Sequence, residues 1–186
     1  MSATSAQSIA AEIRRRVPGI GIKKLHKLLY YCQGHHLATF GRPLFVESIS
    51  AWDMGHVVGK LWYSEKDHGT SSIGSIIDES ILNTIGYVIA RYGNLLAADL
   101  ERLTHAEDPW IDANRDRPER GSVWMQNSDI ERFFKNNVAD PDDNEMDLTV
   151  RETWLRKVSP PRPTLTVDTV DGIRARGRSL RLDIRR

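Results

Sequence analysis

The sequence predicts a mainly α-helical protein: a compact helical domain over residues 1–137, a small antiparallel β element near Ile49–Trp52, and a C-terminal extension over residues 138–186. Apolar residues recur at intervals of three and four in several segments, which is the spacing of amphipathic helices. Proline and glycine separate these segments. After Asn137 the composition becomes acidic and then proline-rich, so we expect the core to end there.

The first predicted helix covers Ser8–Val17. Its apolar residues Ile9, Ile13 and Val17 lie on one stripe, and Pro18-Gly19 ends the pattern. The segment therefore predicts a short amphipathic helix.

The second predicted helix, from Ile22 to Phe40, has the clearest periodicity in the chain. Gly41 is well placed as the residue just past its C-cap. We expect its stripe to be buried, and the stripe consists of Ile22, Leu25, Leu28, Leu29, Cys32 and His36.

Two segments predict strands, and a helix follows the first of them. The apolar residues of Leu44–Trp52 are too irregular for a helix and predict one short strand. Val57–Tyr63 resumes helical character. Val123–Gln126 predicts a short strand that pairs with the one near Ser50.

Further helices are predicted over Ser80–Tyr92, over Leu95–Leu103, and from a cap at Asn127 or Ser128 through Phe134. Another helix restarts near Trp110, and two start signals compete there. Thr104 and Glu107 have the spacing of a capping box, while Asp108-Pro109 offers an N-cap followed by proline at the first helical position.

The composition is that of an ordinary soluble protein, with 186 residues, of which 40% are apolar and 27% charged. No apolar run is long enough for a membrane helix, and Met1–Ala11 has no secretion signal. The single cysteine, Cys32, cannot form an intrachain disulfide. We therefore expect a cytoplasmic protein without a membrane partner.

Charge is segregated although the net charge is only +1. The first forty residues carry six basic side chains against Glu12, and the segment from Gly172 to the end carries six arginines against Asp183. Between them lies an acidic block, which consists of Asp140, Asp142, Asp143, Glu145 and Asp147. We interpret the acidic block as a solvated linker, and the alternative is a segment that mimics phosphate in a basic active site of the toxin.

No residue set predicts catalysis, a metal or a cofactor. Cys32 precedes His35 and His36 on one helix, but it continues the buried stripe and no oxyanion-binding loop accompanies it. The histidines lack ligand spacing, and no glycine-rich phosphate loop is present. We expect a protein that is not an enzyme and that holds no cofactor.

Nucleic-acid binding is a weaker alternative. The first two helices and their short turn resemble a helix-turn-helix in outline, with Lys23, Lys24 and Lys27 as phosphate contacts. Lysines opposite a buried stripe are also what solvation of a helix requires. Binding to nucleic acid is therefore possible but not favoured.

Four sequence blocks, in order, resemble the Panacea domain of the SocA-like antitoxin family, which also includes phage-associated proteins. The blocks are Lys24–Gly34 (KLHKLLYYCQG), Gly41–Phe45 (GRPLF), Ile49–Val58 (ISAWDMGHVV) and Leu103–Trp110 (LTHAEDPW). The resemblance extends over about Ile22–Phe134. One departure is His56, because the family usually has proline there.

The resemblance implies an antitoxin that neutralises a cognate toxin by direct protein–protein binding, with no catalytic activity. One branch of the family instead delivers its toxin to a protease, and a DNA-binding autorepressor is the other alternative. The link to phage-associated proteins extends the expectation to phage defence. We expect a structural role for the motif residues, which are Tyr30, Gln33, Gly41, Pro43, Trp52, Gly55, His105, Pro109 and Trp110.

The partner-specific residues are expected in the C-terminal extension. The alternation of Leu180 and Leu182 with charged residues predicts a basic strand that adds to the edge of a partner's sheet. The candidate docking residues are Arg174, Arg176, Arg178, Leu180, Arg181 and Leu182, with Asp142, Asp143 and Glu145 of the acidic block as the alternative. The sequence predicts neither the toxin's reaction nor an oligomeric state.

Overall fold

A computed structural model of the protein describes residues 4–68, 78–115 and 117–137. The described helices are α1 (Ala6–Arg16), α2 (Ile22–Phe40), α3 (Gly59–His68), α4 (Glu79–Tyr92), α5 (Ala97–His105), α6 (Asp108–Arg115) and α7 (Asn127–Asn137). The described strands are β1 (Ile49–Trp52), β2 (Gly55–Val58) and β3 (Val123–Trp124). The predicted class, mainly helical with a small antiparallel β element, is confirmed.

Helix α2 is the centre of the fold. It packs against α1, α4, α5, α7 and β2, and every residue from Leu25 to Leu37 is buried. Gly41 ends the helix in the left-handed conformation, with φ of 63°, and its N–H donates to the Leu37 carbonyl. The predicted helix bounds and C-terminal glycine are therefore confirmed.

Burial around α2 differs from the predicted amphipathic pattern in one respect. The face opposite the apolar stripe is also covered, because β2 and α5 pack against the helix. Lys27, expected among the solvated lysines, is only 2% exposed. The periodicity of α2 identifies the helix, but it does not show that the face opposite the apolar stripe is buried as well.

The sheet has the strand order β2-β1-β3, and both pairings are antiparallel. Trp52 pairs with Gly55 across the hairpin, and Gly55 has φ of 90°, a conformation that favours glycine. Ser50 pairs with Trp124 of β3. The predicted strand at Ile49–Trp52 and its predicted partner near Val123 are confirmed.

Two local predictions are wrong. Val57 and Val58 were expected in a helix, but they lie in β2, where they pair with Ser50 and Ile49 of β1. Helix α3 begins only after them, at Gly59. Thr104 and Glu107 do not form a capping box: Thr104 lies inside α5, and the Glu107 carboxylate accepts hydrogen bonds from α2. Helix α6 begins at Asp108. The alternative signal, with Asp108 as N-cap, predicts a start at Pro109, which is one residue later.

Several sequence expectations fall elsewhere in the chain. The acidic block, the proline-rich connector and the C-terminal arginine segment lie outside the described residues. Of the helices that are described, none is both long and apolar enough to cross a membrane.

Candidate functional site

A carboxylate and two tyrosines form a buried centre between α2 and the start of α6. The hydroxyl of Tyr30 donates to Glu107 Oε2 over 2.7 Å, and that of Tyr31 donates to Oε1 over 2.8 Å. All three side chains are buried. Burial raises the pKa of Glu107 to about 7, although the two hydroxyls act in the opposite direction.

Aromatic rings enclose this tyrosine–glutamate centre. The Tyr30 ring stacks on His56 with centroids 3.7 Å apart, and the Tyr31 ring stacks on Tyr92 at 3.9 Å. Phe134 of α7 contacts both tyrosines edge-on. His56, the departure from the family pattern, is therefore a buried packing partner, and burial lowers its pKa.

A second centre, the lysine–histidine centre, consists of Lys27, Gly55, His105 and Trp110. The ammonium of Lys27 donates to the carbonyl of Met54 and, over 3.5 Å, to that of His56. Burial lowers the pKa of Lys27 to about 8. The ring of His105 stacks on Trp110 with centroids 4.0 Å apart. Both centres lie near the hairpin between β1 and β2.

Buried polar atoms without a partner concentrate near these centres. Within the described part of the chain, His105 Nε2, Trp110 Nε1 and both ring nitrogens of His56 have no hydrogen-bond partner, and neither has His26 Nε2. Buried polar groups are normally paired, so such a concentration is unusual in a folded domain.

Gln33 connects α2 to the loop that follows it. Its side-chain oxygen accepts from the backbone N–H of Leu44, over 2.9 Å, and of Phe45, over 3.2 Å. Its Nε2 donates to the Phe45 carbonyl over 3.3 Å. The side chain thus satisfies three buried backbone groups, which is a structural role.

The other motif residues occupy scaffold positions of different kinds. Gly41 caps α2, and exposed Pro43 follows in the turn. Pro109 is buried in the first turn of α6. Trp52 is half-buried and contacts Trp62, with centroids 6.0 Å apart.

The cysteine and histidines weighed as a nucleophilic set are engaged elsewhere. Cys32 is fully buried, and burial raises the pKa of its thiol. His35 shares a hydrogen bond with the Tyr92 hydroxyl at 3.1 Å, and His36 shares one with Thr84 at 3.0 Å. These contacts favour a packing role for the cysteine and the two histidines over a nucleophilic one. No group of three metal-ligating side chains occurs among the residues that the structure describes.

The basic residues considered for nucleic-acid binding are also engaged. Lys27 is buried, and Lys24 donates to the Gly93 carbonyl over 2.6 Å. Arg15 and Arg16 both pair with Glu12, at 2.7 Å each. Only Lys23 of the predicted phosphate contacts is exposed. The described surface therefore does not favour the helix-turn-helix interpretation.

Two aromatic side chains, one on β3 and one on α3, are well exposed to solvent. Trp124 is 73% exposed and Tyr63 is 60% exposed. Tyr63 also contacts half-buried Trp52, with centroids 6.2 Å apart. Large exposed aromatic side chains are typical of protein-binding surfaces. The candidate docking residues of the C-terminal extension, from Asp142 to Leu182, lie outside the described residues.

Sequence reasoning missed the burial of Lys27 and Glu107. It treated Lys27 as a solvated lysine and Glu107 as half of a capping box. Their position inside the two motif blocks was not a sufficient signal, because Asp108 lies in the same block as Glu107 and is exposed.

The fold and its buried polar centres define a mainly helical domain organised around one enclosed helix. Residues 25–111 match the family model described as antitoxin SocA-like, Panacea domain, which confirms the resemblance found in the sequence. The match ends at 111, short of the predicted extent to Phe134. No curated protein and no solved structure matches the chain.

Proposed function

We propose that this protein is an antitoxin that neutralises a cognate toxin by direct, stoichiometric protein–protein binding. The observation that carries the proposal is the match of residues 25–111 to the SocA-like antitoxin model. An antitoxin role suggests a toxin as the partner.

The distribution of reactive groups supports binding over catalysis. Cys32, Glu107 and His56 are buried, and their charged forms are disfavoured there. A catalytic group must be accessible to its substrate, whereas these three side chains are packed inside the core. We therefore propose a protein without enzymatic activity of its own.

The docking element that we propose is the basic C-terminal segment, with the acidic block as the alternative. Arg174, Arg176 and Arg178 stand in an extension that follows the helical domain. A domain that meets different toxins needs an unchanged core and a variable contact surface. A segment outside the family match meets that requirement.

The test is co-expression with the open reading frame beside this gene. We expect the neighbouring protein alone to arrest growth, and co-expression to restore growth and yield a complex that copurifies. Leu29→Asp serves as the unfolded control, because it places a charge in the core of α2. Growth arrest that persists although both proteins are present and folded contradicts the proposal.

Two further measurements separate the alternatives. In a purified mixture, direct neutralisation lowers toxin activity, whereas a proteolysis adaptor lowers toxin levels only in cells that contain the protease. Saturable binding to the protein's own upstream DNA, measured by mobility shift at several salt concentrations, favours the autorepressor instead.

A further inference from the structure

The lysine–histidine centre contains hydrogen-bond donors without matching acceptors. Trp110 Nε1–H can only donate, and a lysine ammonium can only donate. Trp110 Nε1 and His105 Nε2 are buried, and no described residue is their partner. Lys27 uses two carbonyl acceptors, which leaves one of its three N–H groups.

Gly55 brings these groups to one place. A side chain on Gly55 would collide with Lys27 Nζ, and its Cβ would lie 2.9 Å from His105 Nε2. The ammonium and the imidazole therefore lie on the same side of the hairpin, against the glycine. The ring of Trp110 stacks on His105 and carries a further buried donor, Nε1.

Within the described part of the chain, no ion pair neutralises the charge of Lys27. Lys27 makes no salt bridge with any described carboxylate, although Glu101 is near enough for its charge to act on both Lys27 and His105. The described acceptors of this buried ammonium are neutral carbonyls, and a buried charge in such surroundings favours an anionic partner. The half-buried rings of His105 and Trp110 form the outer side of the centre, whereas Lys27 lies inside.

From these contacts we infer that Lys27, His105 and Trp110 bind a small oxyanion, of the carboxylate or phosphate type, at the lysine–histidine centre. Such a ligand has several acceptor oxygens and one negative charge or more, so it satisfies the buried donors and the ammonium together. His105 takes part as the tautomer that carries its proton on Nε2. The inference does not rest on the proposed toxin binding.

The test follows the indole N–H signals of the full chain by NMR in an ¹⁵N-labelled sample. The sequence has five tryptophans, and the signal of Trp110 is identified by its loss in Trp110→Phe. Phosphate, sulfate and acetate are titrated separately against chloride at constant ionic strength. We expect a saturable shift of the Trp110 signal with an oxyanion, and none with chloride.

The separate titrations with acetate, phosphate and sulfate distinguish the chemical class of the bound oxyanion. Saturation by acetate alone supports a carboxylate ligand, and saturation by phosphate and sulfate supports a free tetrahedral anion. Trp124 is exposed and lies outside the centre, so its signal reports non-specific salt effects. A Trp110 signal that never saturates, or that moves only in parallel with Trp124, overturns the inference.

Affinity measurements on variants provide a second test. Trp110→Phe keeps an aromatic ring on His105 but removes the N–H, and we expect it to weaken anion binding about tenfold, as for one hydrogen bond to a charged group. Trp124→Phe is the matched control and should leave the affinity unchanged. Equal affinities in both variants, with cooperative melting retained, contradict the assignment of Trp110.

Discussion

Tyr30 and Glu107 lie 77 positions apart, yet the tyrosine hydroxyl donates to the glutamate carboxylate over 2.7 Å in the core of the domain. This hydrogen bond joins two blocks of the family match that no local structure connects. Because Glu107 is buried in the folded protein, the pKa of its carboxyl group depends on folding.

The first prediction concerns Glu107→Gln. The folded-state pKa is raised to about 7 from the ordinary 4.5, so the stability it contributes is fully present below pH 4.5 and is lost as the pH rises through 7. Relative to the glutamine variant, the wild-type protein should lose about 2 kcal/mol of unfolding free energy between pH 5 and pH 8. Denaturant titrations at both pH values measure this difference.

Buried histidines make the folded protein more stable as the pH rises, which is opposite to the effect of Glu107. Their contribution must therefore be the same in the wild type and in the variant. Burial lowers the pKa of His35 to about 3 and that of His36 to about 4, so their contribution is present above pH 6.5 and is lost as the pH falls. Both proteins contain these histidines. The prediction is wrong if the difference between wild type and Glu107→Gln does not change with pH.

The second prediction compares two glycines. A Cβ on Gly34 would overlap the ring of Phe134, whereas a Cβ on Gly59 meets nothing within 4 Å. Gly34→Ala should lower the free energy of unfolding by about 2 kcal/mol despite the better helix propensity of alanine. Gly59→Ala should be neutral or stabilising. Equal effects in thermal melts would show that α7 does not pack closely on α2.

The third prediction concerns Gln33→Met, which keeps the side-chain length and removes both polar atoms. Three buried backbone groups of Leu44 and Phe45 lose their partner, so we expect a loss of about 3 kcal/mol. The control is Gln126→Met at an exposed position, which should change stability by less than about 0.5 kcal/mol. A small effect at Gln33 in denaturant unfolding contradicts the role assigned to it.

The fourth prediction concerns Cys32→Ala. Cys32 is fully buried and its thiol pKa is raised, so we expect neutralisation to be retained and stability to fall by at most about 2 kcal/mol. The folded wild-type protein should also resist a thiol-specific reagent. Complete loss of neutralisation in a variant that still melts cooperatively would restore the nucleophile hypothesis.

The fifth prediction concerns truncation after Val158, which removes Arg174, Arg176, Arg178 and Arg181. If this segment docks the toxin, the shortened protein keeps its helical circular dichroism but binds the toxin at least about tenfold more weakly. Calorimetry on the purified pair measures the affinity. Undiminished affinity excludes the segment as the docking element and directs the search to the described surface, where Trp124 is exposed.

The elements of this fold were largely predictable because local chemistry sets their limits. The bounds of α2 follow from its periodicity and from Gly41, and the short strand at Ile49–Trp52 follows from an irregular apolar run. The hairpin partner β2 was missed, since the apolar pair Val57-Val58 suits a strand as well as a helix. Only pairing with β1 decided between the two.

The sequence by itself determined the helical class, the positions of most elements and the resemblance to the Panacea domain, because spacing, caps and motif residues are properties of adjacent positions. Tertiary structure alone decided the environment of Lys27 and Glu107. Whether a charged residue on a helix meets water or a buried partner depends on elements far away in the chain. For Lys27 that element is the β1–β2 hairpin, and for Glu107 it is helix α2.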